Sequence, residues 1–125
     1  MSITLAPGPV AQSPLRLIKG TFDVLILKTL SWGPAHGYAI SRWITQSSDD
    51  ELKIEEGALY PALRRLEERG LLASAWQPSE TGREARFYTL TPAGRRALRT
   101  EVAEWERYVR SFTRVLSARP SGGVA

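Results

Sequence analysis

The sequence predicts a mainly α domain with one small β-hairpin, an α+β arrangement, followed by a long helix at its end. Three observations predict it. Apolar residues recur at helical spacing in three successive segments, two strand-like runs flank a polar turn, and a strong capping signal opens a final amphipathic segment. The 125 residues suffice for one modest core.

The first helix is expected over Thr21 to Ser31, where Phe22, Leu25, Ile26 and Leu30 recur at helical spacing and Thr21 offers a hydroxyl cap. Gly33 and Pro34 stop it. A second helix follows over His36 to Gln46, with Ile40, Trp43 and Ile44 on one face and His36 at its start. Leu52 to Ile54 alternate briefly, as a short strand would. The third helix is expected from about Glu56 to Arg69, because Leu59, Leu63 and Leu66 share a face and Gly70 supplies a left-handed end. Pro61 is expected in its first turn, where a missing N–H costs little.

Leu71 to Trp76 and Arg83 to Leu90 read as strands across the turn-rich stretch 78–82. Thr91 then caps a last helix with Pro92 at its first position. Three helices, a hairpin and a closing helix form the winged helix-turn-helix plan. The expected division is a flexible leader over 1–17, the winged helix-turn-helix domain over 18–91, a dimerisation helix over 92–117 and a flexible tail over 118–125.

Leu98, Val102, Trp105, Val109, Phe112 and Leu116 are spaced alternately four and three apart, the seam of a helix that meets a partner helix. A homodimer through this seam is expected, the other reading being that the helix packs on the first helix of its own chain. Trp105, Tyr108 and Phe112 are candidates to stack a planar small-molecule effector, or else they form the interface core.

A formal net charge of +4 suits a polyanionic partner, and its distribution is uneven. Arg83, Arg86, Arg95, Arg96 and Arg99 face only Glu84 within their stretch, whereas Asp49 to Glu56 is acidic. Absence of cysteine excludes disulfides, thiolate metal sites and cysteine nucleophiles. With one histidine and scattered carboxylates, no nucleophile and base pair is recognisable, so neither an enzyme nor a cofactor is expected. Met1 to Pro14 lacks the basic start and apolar run of a signal peptide, and no stretch has the apolar length of a membrane span, so a cytoplasmic location without membrane contact is expected.

In such a fold the third helix enters the major groove of double-stranded DNA by its N-terminal half. Gly57 permits close approach, Tyr60 could stack or bond a phosphate, and Arg64 reaches a base edge. Its fork matches guanine, a pairing that contributes about 1–3 kcal/mol of discrimination. Arg65 lies beside it, and Arg83 and Arg86 flank the hairpin tip as backbone contacts. Blander readings remain open: Tyr60 as a rim of the core, Arg64 paired with Glu67 or Glu68, and the basic stretch as a solvated face.

The runs Gly33-Pro34-Ala35-His36-Gly37-Tyr38 and Glu56-Gly57-Ala58-Leu59-Tyr60-Pro61-Ala62-Leu63 stand in order with Leu66-Glu67, Gly70-Leu71 and Arg86-Phe87-Tyr88-Thr89-Leu90-Thr91-Pro92-Ala93-Gly94. Together they resemble the PadR transcriptional regulators over about Ile18 to Leu116. The resemblance implies a repressor-like winged helix that dimerises through its C-terminal helix and is often tuned by a small molecule, in a short branch with a single such helix. It also implies DNA-binding roles for Tyr38, Gly57, Tyr60 and Pro61. Ala58 stands where the family usually has a hydroxyl residue, which puts a phosphate contact there in doubt. The alternative function is a winged-helix interaction module that does not touch DNA.

Overall fold

The computed structural model describes residues 21–121, so the leader expected over 1–17 and the end of the tail, 122–125, lie outside the described residues. The elements run α1 (Thr21–Leu30), β1 (Ala35–His36), α2 (Gly37–Ser47), α3 (Glu56–Glu68), β2 (Leu72–Pro78), β3 (Glu84–Leu90) and α4 (Pro92–Ser117). The three antiparallel strands are ordered β1-β3-β2.

Leucine and isoleucine at helical spacing build the core. Ile26, Leu27 and Leu30 of α1, Ile40 and Ile44 of α2, and Leu59, Leu63 and Leu66 of α3 are buried against Leu72, Tyr88 and Leu90 of the sheet. Trp43, expected on the inner face of α2, is instead 38% exposed. The compact Ile40 and Ile44 fill that interface and leave the indole at its rim.

The hairpin is a three-stranded sheet, because Ala35 and His36 pair with Tyr88 and Phe87. His36 does two jobs there. Its backbone extends β1, while its Nδ1 accepts the Ala39 N–H at 3.2 Å and caps α2. The strand expected over Leu52 to Ile54 reduces to a single bridge at Leu52. Asp49 and Asp50 adopt left-handed φ values of 53° and 65°, and the Ser48 hydroxyl accepts the Leu52 N–H at 2.9 Å, so this connection is a compact turn that delivers Ile54 to the core.

At the end of α3, Gly70 takes φ 75° while the N–H of Leu71 reaches the carbonyl of Leu66 at 3.0 Å, the left-handed closure a side chain would strain. α4 begins against this closure. Thr91 accepts the Gly94 N–H at 3.0 Å and donates to the Gly70 carbonyl at 2.7 Å. Gly94 is buried, and α4 lies so close to this closure that a Cβ at Gly94 would collide with the Leu71 carbonyl oxygen.

Candidate nucleic-acid interface

Helical periodicity divides the surface of α3 into three strips. Gly57, Pro61, Arg64 and Glu68 follow one another at four-, three- and four-residue steps with Arg65 beside them; all are exposed and form its outward face. Tyr60 and Glu67 lie on the flank beside the sheet, and Arg69 lies on the flank beside α1.

Pro61 is the sixth residue of α3 and therefore stands in its second turn, not the first. No N–H at position 61 reaches back to the Gly57 carbonyl. Both residues lie on the exposed strip, where that oxygen is open to solvent rather than buried without a partner, which lowers the cost of the proline. Glu55 precedes α3 without a side-chain cap bond, so the leading N–H groups of the helix take no side-chain acceptor. The Ala58 and Leu59 N–H groups close on the Glu55 carbonyl at 2.9 and 3.0 Å, and the exposed Glu55 and Glu56 side chains place negative charge at this helix end. Ala58 is half-buried.

Tyr60 is 47% exposed, yet its ring rests on Gly37 so closely that a Cβ at Gly37 would meet Tyr60 Cε1 at 2.8 Å. The tyrosine is thus a spacer between α2 and α3 as well as a surface residue. Tyr38 is 61% exposed on α2, with the Arg42 guanidinium 5.6 Å from its ring centre.

The arginines fall into two groups. Among the described residues, Arg64 on α3 and Arg83 at the hairpin tip make no ion pair. Arg65 turns toward α1, with Nη2 3.6 Å from Asp23 Oδ1, and Arg69 approaches the other oxygen of Asp23 at 3.9 Å. Arg86 is drawn to the flank of α3: its Nη2 lies 3.5 Å from Glu67 Oε2, and its Nε donates to Ser74 Oγ at 2.9 Å. Ser74 in turn donates to Glu67 Oε2 at 2.6 Å. These partners of Arg65 and Arg86 are distant in sequence, and only the folded packing of α1 and the sheet on α3 reveals them. The neighbouring Tyr88 phenol is pushed above its ordinary pKa, first by burial, and stays protonated.

On α4, Leu98 packs against the core of its own chain with Ala93 and Ala97, and Val102 is half-buried. Beyond them Trp105, Val109, Phe112 and Leu116 are 43%, 43%, 52% and 57% exposed. Tyr108 joins Trp105 and Phe112 in a ladder of rings with centres 5.6 and 5.8 Å apart. The first turns of α4 thus lie on their own domain, as the own-chain reading expects, and the remainder presents an exposed apolar strip.

Among the described residues no group of three or more His, Asp or Glu side chains is placed to hold a metal ion. No helix among them is long and apolar enough to cross a membrane.

Three helices with an exposed third-helix face beside a β-hairpin, closed by a long helix, define a winged helix-turn-helix protein. The family model described as the transcriptional regulator PadR-like family matches residues 26–100, and the chain belongs to that family. It is similar to a PadR family transcriptional regulator from Eggerthella lenta at 35% identity, covering 81% of this chain and 86% of that one with a TM-score of 0.68. A transcriptional regulator from Clostridium thermocellum aligns at 33% identity over 75% of this chain and 91% of its own, with a TM-score of 0.69. A transcriptional regulator of Mycobacterium tuberculosis is 49% identical over 57 residues, 45% of this chain, and the match spans 52% of that relative's length.

Proposed function

We propose that the protein binds operator DNA as a homodimer and represses transcription from it, with the outward face of α3 in the major groove and the hairpin on the backbone alongside. The observation that carries this reading is the face itself. Gly57 leaves room, Pro61 adds a rigid low surface, and Arg64 stands exposed, without an ion pair among the described residues, where a guanine edge would meet it. Arg83 supplies charge at the tip, suited to neutralising a phosphate. Arg65 and Arg86 reach DNA only by leaving Asp23 and Glu67, so their contribution is smaller than their position in the sequence suggests.

The exposed distal strip of α4 supports pairing of two copies through Trp105, Val109, Phe112 and Leu116, with Val102 at its margin. The ring ladder of Trp105, Tyr108 and Phe112 supports a planar effector at the same place. Such a ligand regulates only by favouring one arrangement of the two reading heads over another. Such action on chromosomal DNA supports a cytoplasmic location.

The test is binding to DNA from upstream of the protein's own gene, beside a scrambled duplex, at two salt concentrations. Salt-sensitive preference for the native fragment is expected. Arg64→Ala should relax base preference by about 1–3 kcal/mol, while Arg83→Ala should weaken binding to all sequences and lower the salt slope by about one. Equal loss on every duplex from both variants would refute this division of labour, and absence of binding to either duplex would favour the interaction module.

A further inference from the structure

The inner face of the hairpin continues past the core. Leu72, Ser74 and Trp76 of β2 lie opposite Leu90, Tyr88 and Arg86 of β3, and the first two of these pairs face α3. Trp76 extends the same face toward the tip and is 64% exposed. Its indole is nevertheless held: the Arg86 guanidinium lies 5.9 Å from the ring centre. That guanidinium is fixed by Glu67 and Ser74, and Glu67 belongs to the helix that carries Arg64. An exposed indole is thus tied, through one arginine, to the flank of the reading helix.

We propose that Trp76 is the hairpin's contact with the sugar-phosphate backbone of the bound duplex, and that Glu67 is the positioning residue that sets it through Ser74 and Arg86. The inference rests on the reading that α3 enters DNA. With α3 in the major groove, the side of the hairpin that faces α3 is also the side turned toward the adjoining strand. An indole suits that surface, since its ring packs on deoxyribose C–H groups and its N–H donates to a phosphate oxygen. Arg83 at the same tip brings the charge that draws the strand in. Arg86 serves here as a brace, with Glu67 restraining it from a phosphate of its own.

The experiment is a double-mutant cycle on the full chain with Trp76→Ala and Glu67→Gln, measuring affinity for the upstream duplex and for a scrambled one by fluorescence anisotropy. Trp76→Ala should weaken both by roughly tenfold, within the range for one lost aromatic contact to nucleic acid, and leave the salt slope unchanged because no cation is removed. Glu67→Gln removes a negative charge and frees Arg86 in both backgrounds, so the cycle reads the difference: the effect of Glu67→Gln on affinity should be about threefold less favourable in the native background than in the Trp76→Ala background. Trp76→Phe separates the indole from the protein's other tryptophans: DNA should quench an emission component that this variant lacks. Binding by Trp76→Ala within twofold of the native protein would overturn the contact, and additive losses in the cycle would overturn the role of Glu67. If the native protein binds neither duplex, the DNA reading falls, and this inference with it.

Discussion

Gly57→Ala separates stability from function in one substitution. Gly57 is the second residue of α3, lies on its outward face, and has nothing within 4 Å of where a Cβ would stand. Its backbone is helical, so alanine fits without strain and removes the entropic cost of glycine. The full helix-interior gain is about 0.8–1.0 kcal/mol, and in the first turn roughly half of that is expected. For a domain of this size that raises the melting temperature by about 2–4 °C. DNA binding should move the other way. A methyl group inserted between helix and groove floor holds the helix off the bases, and an affinity loss of about tenfold corresponds to about 1.4 kcal/mol of lost contact. Urea denaturation at fixed protein concentration gives the first quantity, and anisotropy on the upstream duplex gives the second. A variant that is stabilised yet binds DNA as tightly as the native protein would refute close approach at Gly57, and with it docking by the N-terminal half of α3.

Gly94→Ala should do the reverse to stability, because its methyl would strike the Leu71 carbonyl and stand 2.8 Å from Leu90 Cδ1; a loss of about 2–3 kcal/mol at unchanged m-value is expected in urea, and an unmoved midpoint would show that the start of α4 has room to shift. Glu101 on α4 has its pKa raised, first by burial and then by the Asp23 carboxylate, with Glu104 adding to this and Arg69 opposing it. A raised folded-state value means that its contribution to stability is fully present below the unfolded pKa and is lost as pH rises through the folded one. Glu101→Gln should therefore gain stability relative to the native protein as pH goes from about 4 to about 7, and a constant offset between the two urea midpoints would refute the assignment. Trp105→Glu places a charge in the exposed strip of α4 and should convert a dimer to a monomer in sedimentation; a variant that still sediments as a dimer would rule out the strip as the interface.

Local signals carried most of the fold. Leu59, Leu63 and Leu66 marked the buried face of α3, and Thr91 with Pro92 marked the start of α4, because spacing and capping are written in consecutive residues. What escaped is held by distant partners. Two residues, Ala35 and His36, form a strand only because β3 offers Tyr88 and Phe87. Asp49 and Asp50 turn left-handed to bring Ile54 inward, and the short alternation of Leu52 to Ile54 imitates a strand. In the site, periodicity was enough to put Arg64 on the exposed side of α3. It could not show that Tyr60 leans on Gly37, that Arg65 answers to Asp23, or that Arg86 answers to Glu67. Each of these depends on how elements pack across the chain, and a charged residue's spacing along one helix does not reveal it.

The joint between α3 and α4 bears on how a dimer would be regulated. The hydroxyl of Thr91 holds the Gly70 carbonyl, the Thr91 N–H reaches the Leu71 carbonyl at 3.1 Å, and Gly94 lets the first turn of α4 lie against that same carbonyl. Asp23 of α1 adds ion pairs to Arg65 and Arg69 near the end of α3. Across the hairpin that separates them in the chain, the end of α3 and the first turn of α4 are thus joined directly. With 26 residues, α4 is about 39 Å long, close to the roughly 34–36 Å between half-sites one DNA turn apart. If two chains meet through the distal strip, a change of a few degrees in the crossing of the paired helices is carried to the reading heads as a rigid displacement. A ligand among Trp105, Tyr108 and Phe112 would then alter DNA affinity by changing half-site spacing, without touching the face that reads the bases.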